Sequence, residues 1–173
     1  TLRRSSAASD VYKRQGTYTP TADVEDTSNV VTLAASYTDT AGNAGPTATT
    51  ANYTIDTLAP TVSSFTMGDS ALKIGETSTV TLTFSEAVAG FSSDDDITVA
   101  NGTLATMTSS DNITWTGTYT PTADVEDTSN VVSLATTYTD SAGNAGPTAN
   151  TANYTIDTSA PTVSSFTMSD SAL

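Results

Sequence analysis

Apolar and polar residues alternate in several short stretches of the chain, and this alternation predicts β-strands. Val80, Leu82 and Phe84 are separated from one another by single threonines, and residues 113–120 repeat the pattern. A period of two with valine, threonine and aromatic residues is typical of a strand that is buried on one face. No stretch of a dozen residues carries apolar positions at helical spacing, so the pattern predicts an all-β protein.

Clusters of glycine, asparagine, aspartate and serine separate these stretches and indicate turns. The predicted strands are residues 62–67, 78–84, 97–100, 104–108, 113–120, 131–139 and 152–156. Seven short strands in a segment of about 100 residues predict an immunoglobulin-like, seven-stranded β-sandwich. The chain has no cysteine, so no disulfide can join the two sheets. We therefore expect the side chains of Trp115 and the tyrosines to fill the core instead.

A long internal repeat divides the chain. Residues 16–72 match residues 117–173 at an offset of 101, and they differ only at positions 32, 35, 36, 40, 49, 58 and 68, so 50 of 57 positions are identical. The offset makes each repeat unit 101 residues long, which is large enough for a unit to have its own core. We therefore expect tandem domains: 16–58 is the C-terminal half of one repeat, 59–159 is a complete repeat, and 160–173 begins a further one.

Residues 1–15 do not fit the repeat. The segment SSAASDVYKRQ back-translates to a sequence that looks like a widely used transposon-based sequencing adapter. We interpret residues 1–15 as an adapter artefact without regular structure and exclude them from the fold prediction.

The remaining residues are strongly acidic. Residues 16–173 hold eighteen acidic residues and one basic residue, Lys73, which gives a net charge of −17. Such a polyanion repels phosphate backbones and anionic lipid surfaces, so we expect no nucleic-acid partner. No apolar run approaches the length of a membrane helix, so no membrane insertion is expected from this fragment. Without histidine or cysteine the usual general base and nucleophile are missing, and we predict that the protein is not an enzyme.

Three motifs resemble the bacterial Ig-like repeats of giant surface adhesins. They are FSEAV at residues 84–88, the D-x-x-G-N turn at 140–144, and the IDT-x-AP linkers at 55–60 and 156–161. The resemblance covers essentially all of residues 16–173. It implies a module of long arrays that Gram-negative bacteria export to the cell surface, often by type I secretion. In such arrays the domains are extenders between an anchor and an adhesive tip, and calcium commonly stiffens the junctions.

Acidic residues fall where loops of an immunoglobulin fold meet. The loop after the second strand and the loop before the last strand lie at the end where the chain enters the domain. We expect oxygen ligands for calcium there, because this cation prefers carboxylate and carbonyl oxygens. The candidate ligands are Asp56, Glu86, Asp94, Asp95, Asp96, Asp140, Asn144 and Asp157.

Each candidate has a simpler alternative. Asp140 and Asn144 fit a plain turn in which Gly143 takes positive φ, and Asp94–Asp96 fit a solvated acidic loop. The segment 122–130, with Asp124, Glu126 and Asp127, is predicted to be a solvated loop at the opposite end.

Three functions remain open from the sequence. The first is an extracellular extender whose partners are neighbouring repeats and calcium. The second is an adhesive domain that binds carbohydrate or protein, and the third is an accessory domain of a secreted polysaccharide-degrading enzyme. Near-identical repeats favour the extender, because a single recognition site rarely needs copying in series.

Overall fold

The computed structural model describes residues 14–170, so most of the adapter-like segment and the last three residues lie outside the described residues. The chain divides into two units, Thr1–Ile55 and Asp56–Leu173. The structure is almost entirely β, which confirms the predicted fold class. Within residues 14–170, no helix has the length and apolar character that crossing a bilayer requires.

The first unit contains two small strand pairs, of which the second is antiparallel. Its strands are β1 (Glu25–Asn29), β2 (Thr32–Leu33), β3 (Ala48–Thr49) and β4 (Tyr53–Asp56), of which β1 pairs with β4 and β2 with β3.

The second unit is a two-layer sandwich. Its elements are β5 (Val62–Met67), β6 (Ala71–Lys73), β7 (Ser78–Phe84), β8 (Val88–Ala89), α1 (Ser93–Asp96), β9 (Ile97–Thr98), β10 (Gly102–Leu104), β11 (Thr114–Pro121), β12 (Glu126–Asn130), β13 (Ser133–Leu134), β14 (Thr139–Asp140), β15 (Ala149–Asn150) and β16 (Tyr154–Asp157). One layer has the order β10-β11-β7-β5, and the other is formed by β12-β16-β6, β15-β13-β9 and β14-β8.

The inward-facing residues of both layers form one core. Along β7, the serine, valine, leucine and phenylalanine positions are buried and the threonines between them are not, as the alternation predicted. Aromatic rings meet across the core: Phe84 and Tyr138 lie 4.9 Å apart between ring centroids, and Tyr119 and Tyr154 lie 5.6 Å apart. The three tyrosines are fully buried, whereas Trp115 is only half-buried and packs on the ring of Phe91.

Several segments differ from the sequence prediction. The single strand predicted at 131–139 is two strands, β13 and β14, in different sheets, and the strands predicted at 97–100, 104–108 and 152–156 have other bounds. Residues 126–130 were predicted as part of a loop but form β12, which pairs with β16. This strand has no apolar residue, and it is held by backbone pairing with β16 and by the buried side chain of Asn130. Asp94–Asp96 were predicted in one loop with Glu86 but lie on α1, after β8.

The repeat allows the same side chain to be compared in two environments. Leu134 is 2% exposed in the second unit, whereas its equivalent Leu33 is 50% exposed in the first. Tyr138 and Tyr37 are 0% and 42% exposed, respectively. The first unit has no strands equivalent to β5–β10 among its described residues, so its apolar face has no opposing sheet.

Candidate metal centre

Asp140 ends β14 and organises the turn that follows it. One carboxylate oxygen, Oδ1, accepts hydrogen bonds from the backbone N–H groups of Ala142 at 2.8 Å, Gly143 at 2.8 Å and Asn144 at 2.9 Å. The other oxygen accepts from Asn144 Nδ2 at 2.7 Å. Gly143 has a φ of 97°, a conformation that glycine adopts at little cost. The turn therefore holds a carboxylate at a fixed position.

This carboxylate is buried and remains easily ionised. Burial raises the pKa of Asp140, but the hydrogen bonds from Asn144, Ala142 and Gly143 outweigh it and hold the pKa below its ordinary value. Hydrogen bonds to the charged form favour that form. Asp140 is therefore a permanent negative charge at neutral pH.

Asn144 connects the turn to the segment by which the chain enters the second unit. Its amide nitrogen lies 3.3 Å from the backbone carbonyl of Asp56 and 3.4 Å from the carboxylate Oδ1 of the same residue. The same nitrogen lies 3.3 Å from the carbonyl of Leu58. One asparagine side chain thus fixes the entering segment against the loop between β14 and β15.

The loop between β7 and β8 completes the site with Glu86. Ser85 holds this loop against the entering strand: its N–H donates to the Thr61 carbonyl at 2.8 Å, and its hydroxyl oxygen accepts from the Thr61 N–H at 2.8 Å. These bonds place Glu86 beside Asp56 and Asp140. We call this end of the unit the entry pole.

Asp56, Glu86 and Asp140 form one cluster of carboxylates. Each offers an oxygen, and the three oxygens lie within 4.8 Å of one another. Calcium–oxygen distances are about 2.3 to 2.6 Å, so oxygens on opposite sides of a calcium ion are separated by about 4.8 Å. The spacing and the all-oxygen donor set therefore fit calcium.

The chain was compared with known protein families. Residues 1–55 and 56–156 each match the family described as bacterial Ig-like domain. The chain belongs to the bacterial Ig-like domain family. Searches of curated proteins and of solved structures found no match. The first family match includes residues 1–15, and it does not confirm that they derive from an adapter, which stays a prediction.

The three consecutive aspartates of α1 lie outside the carboxylate cluster of this Ig-like domain. Asp94 is exposed and accepts a hydrogen bond from the Thr106 hydroxyl at 3.2 Å, and Asp95 is exposed. Asp96 is buried, where it accepts from the Ser92 N–H at 2.8 Å and from the Thr137 hydroxyl. Neighbouring residues of a helix point in different directions, so these carboxylates do not converge on one point.

Asp157 lies at the opposite end of the Ig-like domain, which we call the exit pole. It ends β16, opposite Glu126 of β12. In the repeat it is the equivalent of Asp56, since the two positions are 101 residues apart. Asp56 ends the YTID strand of one repeat and lies in the cluster of the next. The predicted ligand set thus contained Asp56 together with its own copy.

The first unit contains a copy of the Asp140 turn. Asp39 Oδ1 accepts from the N–H groups of Ala41 and Asn43 at 2.9 Å, and Asn43 Nδ2 donates to Asp39 Oδ2 at 2.8 Å. The pKa of Asp39 is lowered by these bonds from Asn43. This turn forms in a unit that lacks an opposing sheet, so its geometry is set locally.

The acidic segment at the exit pole is hydrogen-bonded within the protein. Asp127 Oδ2 accepts from Asn101 Nδ2 at 2.7 Å, and Asp127 Oδ1 accepts from the Ser129 N–H at 2.9 Å. The interpretation of residues 122–130 as only a solvated loop was therefore wrong for Asp127. Sequence reasoning also missed the Thr61–Ser85 pair, whose polar side chains carry no distinguishing signal in so threonine-rich a chain.

Proposed function

We propose that this bacterial Ig-like domain is a structural extender of a large extracellular adhesin, and that calcium stiffens its junctions. The observation that carries the proposal is the convergence of Asp56, Glu86 and Asp140 from three separate segments. One of these segments is the linker itself. A cation held there would fix the linker to two loops of the domain.

The charge of the site supports a cation as the ligand. Three ionised carboxylates at this spacing repel one another unless a positive charge lies between them. Lys73, the one basic residue after position 14, forms an ion pair with Glu76, with Nζ 3.0 Å from Oε1. Calcium would supply positive charge at the cluster, and it binds about six to eight oxygens, of which water and backbone carbonyls would provide the rest.

The internal repeat would reproduce the carboxylate cluster in each domain of an array. Asp157 stands where the chain leaves the second unit, as Asp56 stands where it enters. We expect Asp157 to join the equivalents of Glu86 and Asp140 in the following repeat. Each domain of the array would then have its own calcium site at the pole where the chain enters it.

Recognition of a ligand by this domain has less support. Between residues 56 and 158, the aromatic rings are buried or half-buried, so the described part of the domain presents no exposed aromatic platform. We therefore favour a non-catalytic, extracellular spacer over an adhesive domain or an accessory domain of a polysaccharide-degrading enzyme.

Calcium should stabilise the second unit. A ligand that binds only the folded state adds RT ln(1 + [Ca]/Kd) to the free energy of unfolding. With Kd values of roughly 10⁻⁴ to 10⁻³ M, which are typical of extracellular calcium modules, about 10 mM calcium adds about 1.4 to 2.7 kcal/mol. The measurement is the melting temperature in calcium against sodium at matched ionic strength with a chelator. Equal melting temperatures would contradict the calcium site.

Variants locate the site. Glu86→Gln and Asp56→Asn each remove one charge from the cluster and should reduce the calcium-induced rise in melting temperature. Asp95→Asn removes one charge from an exposed position of the same unit, outside the cluster, and should leave the rise intact. If all three variants respond to calcium as the parent does, calcium binds elsewhere.

A further inference from the structure

An asparagine followed by a glycine occurs once in the chain, at Asn101 and Gly102. Asn101 immediately precedes β10 and has a φ of 54°, a left-handed conformation that asparagine and glycine adopt more readily than other residues. A Cβ atom on Gly102 would overlap the ring of Tyr119, which is fully buried in the core. The turn therefore favours asparagine at the first position, and the packing requires glycine at the second.

An asparagine that precedes glycine can lose its side-chain amide. The backbone nitrogen of Gly102 attacks Cγ of Asn101, a bond forms between these two atoms, and the bond between Cγ and Nδ2 breaks. Nδ2 leaves as ammonia, together with the proton of the Gly102 nitrogen, and a cyclic succinimide remains. Water then opens the ring at either carbonyl, which gives an aspartate or an isoaspartate. Glycine favours the attack because it has no side chain to hinder it.

In the folded domain, two acceptors at the exit pole hold the side-chain amide of Asn101. Its Nδ2 donates to Asp127 Oδ2 at 2.7 Å and to Asn130 Oδ1 at 2.8 Å. Both acceptors belong to β12, and Asn130 is 2% exposed. An asparagine amide has two hydrogens to donate, so both of them are used here.

The backbone of the turn is also held in place. The Thr122 N–H donates to the Asn101 carbonyl at 2.8 Å, and the Tyr119 hydroxyl donates to the Ala100 carbonyl at 2.7 Å. The attack requires the side chain to rotate until the face of Cγ meets the Gly102 nitrogen. Such a rotation would break both hydrogen bonds of the amide, so the fold opposes the reaction. In the unfolded chain these bonds are absent.

Deamidation would leave a carboxylate where the amide now donates. An ionised carboxylate has no hydrogen to donate, so the bonds to Asp127 and Asn130 would be lost. The new charge would also face the carboxylate of Asp127, and the two would repel each other. An isoaspartate adds a carbon atom to the main chain, which would disturb the pairing of Gly102 with Pro121 at the start of β10. Both products therefore fit the folded domain less well than asparagine does.

We propose that Asn101 is a deamidation site that the fold shields and that unfolding opens. A domain that has been unfolded is then marked by a carboxylate at this position, and it refolds with lower stability. The reaction consumes only water, and it depends neither on calcium nor on the extender function. It goes beyond that function, because it would record which domains of an array have unfolded.

The rates of deamidation in the folded and the unfolded chain test the shielding. The full chain is kept in mildly alkaline buffer with and without guanidinium chloride, and its proteolytic peptides are followed by mass spectrometry. Asn101 should react at least about tenfold faster in the denaturant, because a native domain is unfolded for only a small fraction of the time.

Asn112 is the internal control for these rates. It is also left-handed, with a φ of 58°, but Ile113 follows it, so it should stay intact in both conditions. Equal rates at Asn101 with and without the denaturant would overturn the proposal, and so would equal rates at Asn101 and Asn112 in the denaturant.

The effect of the product on stability is measured with Asn101→Asp. This variant should lower the urea midpoint of Trp115 fluorescence by about 0.5 M or more, because it loses hydrogen bonds to a charged group and a buried one. Asn112→Asp adds the same charge at an exposed turn position and should leave the midpoint near that of the parent. Equal midpoints for the two variants would contradict the loss of stability. Because the rates come from the parent chain, the shielding is tested whether or not the variant folds.

Discussion

A side chain that occurs in both repeats should contribute more to stability where an opposing sheet buries it. Leu134 and its copy Leu33 test this directly. The two leucines occupy the same position of the repeat, and their exposed fractions are 2% and 50%. Leu134→Ala removes a buried side chain from a packed core, which costs about 2 to 5 kcal/mol. Leu33→Ala changes a half-exposed residue and should change stability by less than about 0.5 kcal/mol.

Trp115 provides a probe that is specific for the second unit. It is the one tryptophan of the chain, and its ring packs on Phe91 with the ring centroids 4.8 Å apart. Unfolding of the second unit should therefore change its fluorescence. For small domains the urea m-value is about 1 to 3 kcal/mol/M, so a loss of about 2 kcal/mol lowers the midpoint by about 0.7 to 2 M.

The two leucine variants should then behave differently in urea. Leu134→Ala should shift the fluorescence midpoint strongly. Leu33→Ala lies outside the unit that Trp115 reports on, so its effect is read by far-UV circular dichroism, where it should change the unfolding of the chain little. A fluorescence midpoint of Leu134→Ala equal to that of the parent would refute the argument from burial.

Backbone protection, acid stability and the packing of one glycine can each be measured. Amide hydrogen exchange should be much faster in the first unit than in the second, because a sheet pair without an opposing layer is marginally stable; equal protection, read by mass spectrometry, would contradict this. The lowered pKa of Asp140 should stabilise the fold above the ordinary aspartate pKa, and this contribution should be lost as pH falls through the folded-state value, so acid titration of Asp140→Asn should show a weaker pH dependence. Gly146→Ala should destabilise the second unit by about 1 to 3 kcal/mol, because the added methyl group would overlap the ring of Tyr138, whereas Gly68→Ala, which meets only an ordinary contact, should be tolerated; equal melting temperatures for the two variants would be inconsistent with that packing.

The sequence was sufficient to predict the strands whose side chains alternate. The bounds predicted for β5 and β7 are those observed. In β7, valine, leucine and phenylalanine in one phase with threonine in the other leave a single way to bury the apolar face. In β5 only Phe65 and Met67 share the inward phase, and the register shifts between Val62 and Ser64. β12 was missed for the opposite reason. Its residues Glu126–Asn130 are polar, and only the backbone pairing with β16 makes them a strand.

The part of the candidate site that depends on fold topology could be predicted from the sequence. An immunoglobulin fold brings the loops that hold Glu86 and Asp140 to the pole where Asp56 enters, and the three carboxylates do lie together. The composition of Asp94–Asp96 gave no indication that one of the three would be buried on a helical turn. Asp157 was included because a repeat seen in sequence does not show which of two neighbouring domains uses a junction residue.

Calcium should stiffen the junction between consecutive domains, and small-angle X-ray scattering tests this most directly. The protein is a chain in which residues 56–158 are followed directly by a second copy of residues 58–158, so that Asp157 of the first copy occupies the position of Asp56 for the second. In about 10 mM calcium, a concentration above the expected Kd, the scattering should indicate a longer and more rigid particle than in sodium of matched ionic strength with a chelator. Asp157→Asn in the first copy should abolish the difference, and Asp95→Asn should preserve it. Identical scattering curves in calcium and in sodium would contradict the claim.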